Sequence, residues 1–136
     1  MTDDPLDNIF KKPEDIDINR KTILANILNP YARIDVENGT FLPTILWENL
    51  GSKDKILVFL VARLALSTRN KLFTSCASPK EIENMTEIPG GTVRPKLKAL
   101  YEDKLISKND IGGYFVKSSL ISLMKLKSIL EISNIE

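Results

Sequence analysis

Ser78-Pro79-Lys80-Glu81-Ile82-Glu83-Asn84-Met85-Thr86-Glu87-Ile88-Pro89-Gly90-Gly91-Thr92-Val93-Arg94-Pro95-Lys96-Leu97-Lys98-Ala99-Leu100-Tyr101-Glu102-Asp103-Lys104 carries the densest structural signals in the chain. A serine followed three residues later by glutamate is a capping box. Pro79 falls at the first helical position, where a missing N–H has no intrahelical partner to lose. The spacing predicts a helix of about ten residues with Ile82, Met85 and Ile88 inward. Ile88-Pro89-Gly90-Gly91 then breaks the chain in a sharp turn. Thr92 reads as the cap of a second helix reaching Lys104, with Pro95 tolerated in its first turn. Val93, Leu97, Leu100 and Tyr101 share one stripe of that helix. Arg94 borders the stripe, and Lys96, Lys98, Ala99, Glu102 and Asp103 point elsewhere.

Downstream, Leu105–Lys108 and Tyr114–Lys117 are strand-like and flank the turn-rich Asn109–Gly113, which predicts a hairpin. Ser118 or Ser119 caps a last helix to about Glu131. Leu120, Leu123, Met124, Lys127 and Leu130 fall near helical spacing, and three of these face the core. Ile121, Leu126 and Ile129 are then an apolar surplus that points to dimer packing through this helix.

Upstream, Ser52 reads as the cap of a long helix from Lys53 to about Thr68. Its apolar residues (Ile56, Leu57, Phe59, Leu60, Leu64, Ala65) form a surface too broad for a one-sided amphipath, so it lies centrally. Thr44–Leu50 reads as a short helix closed by Gly51, with Trp47 as an anchor. Arg33–Pro43 contains Asn38-Gly39, two residues tolerant of positive φ, and fits a hairpin or an ordered loop. Tyr31, Phe41 and Trp47 fit a core more readily than a small pocket. Asp17 caps a helix over Ile18–Leu28, with Ile23, Leu24, Ile27 and Leu28 on one side, and Asn29-Pro30 stops it.

The chain has 136 residues, 43% apolar and 27% charged, ordinary values for one folded domain. It contains no histidine, which excludes His-based acid–base chemistry and His-ligated metals. Its one cysteine, Cys76, forms neither an internal disulfide nor a zinc cage and reads as a small buried hydrophobe. Gly90-Gly91 and Gly112-Gly113 lack the spacing of a phosphate loop. A binding module is expected, not an enzyme, with no cofactor and no metal. No apolar run reaches the roughly 18 residues that span a bilayer, and the acidic N-terminus is unlike a signal peptide. A cytoplasmic protein is expected. The formal charge of +1 hides an asymmetry. Residues 1–52 hold five basic and nine acidic side chains, a net −4; the remainder holds 14 and nine, a net +5. The second segment therefore suits a polyanion, or the two segments touch.

The order long helix, capped helix, tight turn, second capped helix, strand, glycine turn, strand resembles the winged helix-turn-helix domains of bacterial and archaeal transcription regulators. The likeness covers about residues 53–117 and is sharpest over Ser78–Lys117, where Leu97, Leu100, Leu105 and Ile106 match the passage from recognition helix to wing. It implies a mainly α fold with a small β-hairpin wing, a winged helix domain with a C-terminal helix over 53–136. Composition and periodicity, not the likeness, divide the preceding residues into a flexible acidic tail (1–17) and a helical and hairpin extension (18–52). It implies duplex DNA binding by a small transcription regulator, with 92–104 as the recognition helix in the major groove. Thr92 and Arg94 lie nearest the bases, Lys96, Lys98 and Lys80 meet phosphates, and Lys108, Asn109 and Lys117 act from the wing. The Gly90-Gly91 turn offers an N–H to a phosphate. A homodimer through the C-terminal helix fits this reading. The alternative is an adaptor whose helix and wing dock another protein of a transcription, replication or repair assembly.

Overall fold

Every residue from Ile56 to Ala62 is buried, which puts α2 (Ser52–Arg69) at the centre of the molecule, as its all-round apolar surface predicts. The structure, a computed structural model, describes residues 13–135. Around α2 lie α1 (Pro13–Leu28), α3 (Pro79–Thr86), α4 (Gly90–Glu102) and α5 (Leu120–Ile135). Two antiparallel hairpins complete the described fold. In the first, β1 (Ala32–Ile34) pairs with β2 (Phe41–Pro43), Arg33 opposite Leu42. In the second, β3 (Ser107–Lys108) pairs with β4 (Tyr114–Phe115), Ser107 opposite Phe115. A 3-10 helix, Ile45–Asn49, leads into α2. The fold is mainly α with small antiparallel hairpins. Among the described residues no helix is long and apolar enough to cross a membrane.

Leu24 and Ile27 of α1, Tyr31, Phe41 and Trp47 share one apolar cluster with α2, α3, α4 and α5. Phe41 meets Trp47 edge-on at 4.9 Å and Phe59 at 5.5 Å, so these aromatics are core. Burial, aided by the Asp54 carboxylate, holds the Tyr31 phenol above its ordinary pKa.

Several boundaries differ from those read off the sequence. The first helix begins at Pro13, so 13–17 are helical and not tail; the rest of that segment lies outside the described residues. Asp17 sits inside α1 and pairs with Lys21 one turn on, at 3.0 Å, instead of capping. Ser52 is the first residue of α2, and Gly51 holds the cap position without a side-chain bond. The first hairpin forms, but only Gly39 takes a positive φ, +72°. The Asp35 carboxylate accepts from the N–H groups of Glu37 (3.0 Å) and Asn38 (3.4 Å) and from the Asn38 amide (3.0 Å). That Asx turn widens the loop to Val36–Gly39. On α5, Ser119 rather than Ser118 serves the first turn, accepting from Ser122 N–H at 3.4 Å. Leu123, Leu126 and Leu130 are buried on one side of α5. Leu126 was expected outside; it falls on the i, i+3, i+7 face that α1 and α2 cover. Ile121 is 79% exposed and Met124 53%.

A Cβ on Gly39 would stand 2.5 Å from Cε1 of Phe73, at a positive φ. Gly39→Ala is expected to lower stability by about 1–2 kcal/mol or more in urea titrations. A Cβ on Gly91 meets nothing within 4 Å, so Gly91→Ala in helical α4 is expected to raise stability by about 0.5–1 kcal/mol. Hydrogen bonds from the backbone of Glu37 and Asn38, then from the Asn38 side chain, hold the Asp35 pKa below its ordinary value of 3.8. The ionised carboxylate therefore stabilises the loop above that value, and the contribution disappears as pH falls through the lower folded pKa. The Tm gap between wild type and Asp35→Asn is expected to narrow as the medium is acidified below pH about 4.

Candidate nucleic-acid interface

Helix α3 starts as its capping residues require: Ser78 Oγ accepts from Glu81 N–H at 3.1 Å, and Pro79 opens the helix. The reciprocal half of the box is replaced. Glu81 pairs with Arg63 of α2, whose Nε donates to the Thr74 carbonyl at 3.1 Å. Arg63 thereby ties α2 to α3 and to the segment before it. Met85, expected inward, is 36% exposed. Thr86 takes the inward position one turn after Ile82, and its hydroxyl donates to the Ile82 carbonyl at 2.6 Å.

Helix α4 begins three residues earlier than a cap at Thr92 requires, with Pro89 at the cap. Thr92 is therefore in the first turn and does not cap; the N–H groups of Thr92 and Val93 both donate to the Pro89 carbonyl, at 2.9 and 3.0 Å. Pro95 moves into the second turn. The donor it lacks would have served the Gly91 carbonyl, and both residues are exposed, where water replaces the bond. Val93, Leu97 and Leu100 are buried. Tyr101, expected on the same stripe, is 49% exposed. The apolar path leaves the helix at Leu100 and continues through Ile106, because the chain reverses at Lys104. There φ is +63°, and Leu105 N–H donates back to the Leu100 carbonyl at 3.0 Å.

The β3–β4 hairpin is tied back to the start of the helix pair. Ala77, the residue before the α3 cap, donates to the Tyr114 carbonyl at 2.9 Å and accepts from Tyr114 N–H at 2.8 Å. Asn109 closes the hairpin turn, its Oδ1 accepting from Gly113 N–H (2.6 Å) and Ile111 N–H (3.2 Å). It therefore builds the turn, a different duty from the direct contact expected of it. The Lys108 ammonium lies 5.8 Å from the Tyr114 ring centre.

Lys80, Arg94, Lys96, Lys98, Lys108 and Lys117 are all exposed, and Thr92 is half-buried. The ion pairs found among the described residues include none of those cations. Helical spacing divides them. Arg94, Lys98 and Tyr101 stand at i, i+4 and i+7 along one flank of α4, whereas Thr92 and Lys96 fall on the other. Beyond Tyr101 the first flank opens into a cleft of about 500 Å³ that Lys104, Lys108 and Lys117 also line. Sequence reading missed Lys104 and misplaced Tyr101. The signal for Tyr101 was its seven-residue step from Arg94; Lys104 had none, since its role depends on the hairpin. At the other end, a Cβ on Gly90 would stand 2.7 Å from Glu83 Oε2. The positive end of α4 therefore already faces a carboxylate, which opposes the expectation that the Gly90-Gly91 turn holds a phosphate.

The chain matches no family model, no curated protein and no solved structure among those it was compared with.

Arg63→Ala is expected to lower stability by about 1–3 kcal/mol in urea titrations, since it deletes the charged group that joins α2 to Glu81 of α3 and to Thr74. Arg63→Lys is expected to recover only part, because a single ammonium cannot reproduce the planar fork.

Proposed function

We propose that this chain is a winged helix-turn-helix protein that binds duplex DNA as a small cytoplasmic transcription regulator, in a binding role without catalysis. One observation carries the reading: α4 buries its leucines against the molecule and turns an exposed basic surface outward, bordered by a hairpin with its own lysines. An α-helix fits the major groove, which has a phosphate backbone on each side. Lys96 and Lys98 leave α4 on opposite flanks, one toward each backbone. The outermost positions near the start of α4, Gly91 and Pro95, are compact and permit close approach. Arg94 then reaches base edges, and its fork suits guanine O6 and N7. Lys80 serves the backbone from α3, and Lys108 and Lys117 serve it from the wing. Asn109 contributes by shaping the wing turn.

Ile121 and Met124, exposed on α5, support pairing with a second copy, which would set two recognition helices about one turn of DNA apart. A second reading, docking to another protein, is favoured by one feature only. Leu42, Ile45 and Leu46 stand exposed on and just after the first hairpin, 48%, 87% and 46% respectively.

Selection of bound fragments from random duplex DNA at moderate salt tests the main reading, which expects a defined motif. Arg94→Ala is expected to relax preference at one position, at a cost of about 1–3 kcal/mol, while Lys96→Ala weakens all sequences alike. If both variants bind as wild type does, the DNA reading fails.

A further inference from the structure

The cleft at the end of α4 has a composition that the helix face lacks. Its walls are Tyr101 and Lys104 on one side and Ser107, Lys108 and Lys117 on the other, with Glu102 the single acid. Lys104, Lys108 and Lys117 thus line one concavity of about 500 Å³ together with a single acidic residue, and none of the three belongs to an ion pair among the described residues.

The backbone supplies an independent observation. Lys104 holds φ at +63°, closing α4 by a 6→1 bond from Leu105 N–H to the Leu100 carbonyl. Glycine takes that position without strain, and a lysine there is strained. Glu87, at φ +62°, closes α3 in the same left-handed conformation, so what is particular to Lys104 is its place in the wall of the cleft. That place puts a cation where glycine would leave a gap. The position is also continuous with the outer surface: Arg94, Lys98 and Tyr101 run along α4 directly into it.

We infer that this cleft is a phosphate-binding subsite in which Lys104, Lys108 and Lys117 hold one phosphate group and the Tyr101 and Ser107 hydroxyls donate to it. The inference rests on the DNA reading only for the source of the phosphate. A backbone phosphodiester of a duplex lying along the Arg94–Lys98 flank is one source; a free phosphorylated compound is the other.

Two probes separate the sources. Inorganic tripolyphosphate is titrated into the full chain labelled with 15N, and a duplex of about 20 base pairs is titrated over a range of salt. With tripolyphosphate, amide signals of residues 101–108 and 117 are expected to move together. Lys104→Gly is expected to weaken that binding at least fivefold while Tm stays level or rises, a combination that a purely structural lysine would not produce. Glu102→Gln is expected to tighten it. With the duplex, Lys104→Gly is expected to flatten the log–log salt slope, and further replacement of Lys108 and Lys117 by Gln to flatten it by about 0.9 in all, the share of one neutralised phosphate.

If the cleft responds to tripolyphosphate while the duplex does not bind, the subsite stands with a free phosphorylated ligand and the DNA reading falls. If only the duplex slope responds, the subsite stands as a backbone seat. Should Lys104→Gly alter neither tripolyphosphate affinity nor salt slope, the subsite is overturned, whatever α4 does with DNA.

Discussion

Val93, Leu97 and Leu100 are removed from water by contact with the core around α2, and that burial determines which side of α4 remains outside. A buried aliphatic side chain contributes about 1.5–3 kcal/mol, whereas an exposed ion pair rarely exceeds about 1. The apolar stripe therefore sets the rotation of the helix, and the cations take whatever direction is left. Arg63 adds a second constraint, holding α3 to α2 through Glu81 and the preceding loop through Thr74. Ala77, bonded both ways to Tyr114, closes the frame.

Within this frame, charge is arranged unevenly along α4. Its start faces the Glu83 carboxylate, its middle carries Arg94, Lys96 and Lys98, and its end adjoins Lys104, Lys108 and Lys117. A polyanion approaching this side is repelled at the first position and attracted along the middle, and at the end the lysines stand against the exposed Glu102 and Asp103. The formal charge of +1 for the whole chain conceals the pattern, because the net −4 of residues 1–52 cancels most of the net +5 that follows. Fields at a surface depend on where charges stand, and their sum is a poor guide.

Elements with strong local signals were legible. The capping serine and Pro79 start α3, the broad apolar run of α2 places it centrally, and Asn38-Gly39 marks a hairpin. Readings failed where a local preference met a competing partner. Asp17 prefers a cap but found Lys21; Glu81 prefers the Ser78 N–H but found Arg63; Asp35 drew two N–H groups and lengthened the loop. Tyr101 and Leu126 were assigned to the wrong side because a helical wheel does not say which neighbour covers which face.

Local patterning alone established the run of helices and hairpins, the central place of α2, the buried Val93, Leu97 and Leu100, and the cations of α4, since caps, turns and periodicity act over a few residues. Packing in three dimensions settled the rest. It brought Arg63 to Glu81, 18 residues apart, set Ala77 beside Tyr114, and gathered Lys104, Lys108 and Lys117 around one cleft. Such meetings depend on how whole helices and hairpins stack, a property that no short window of residues contains.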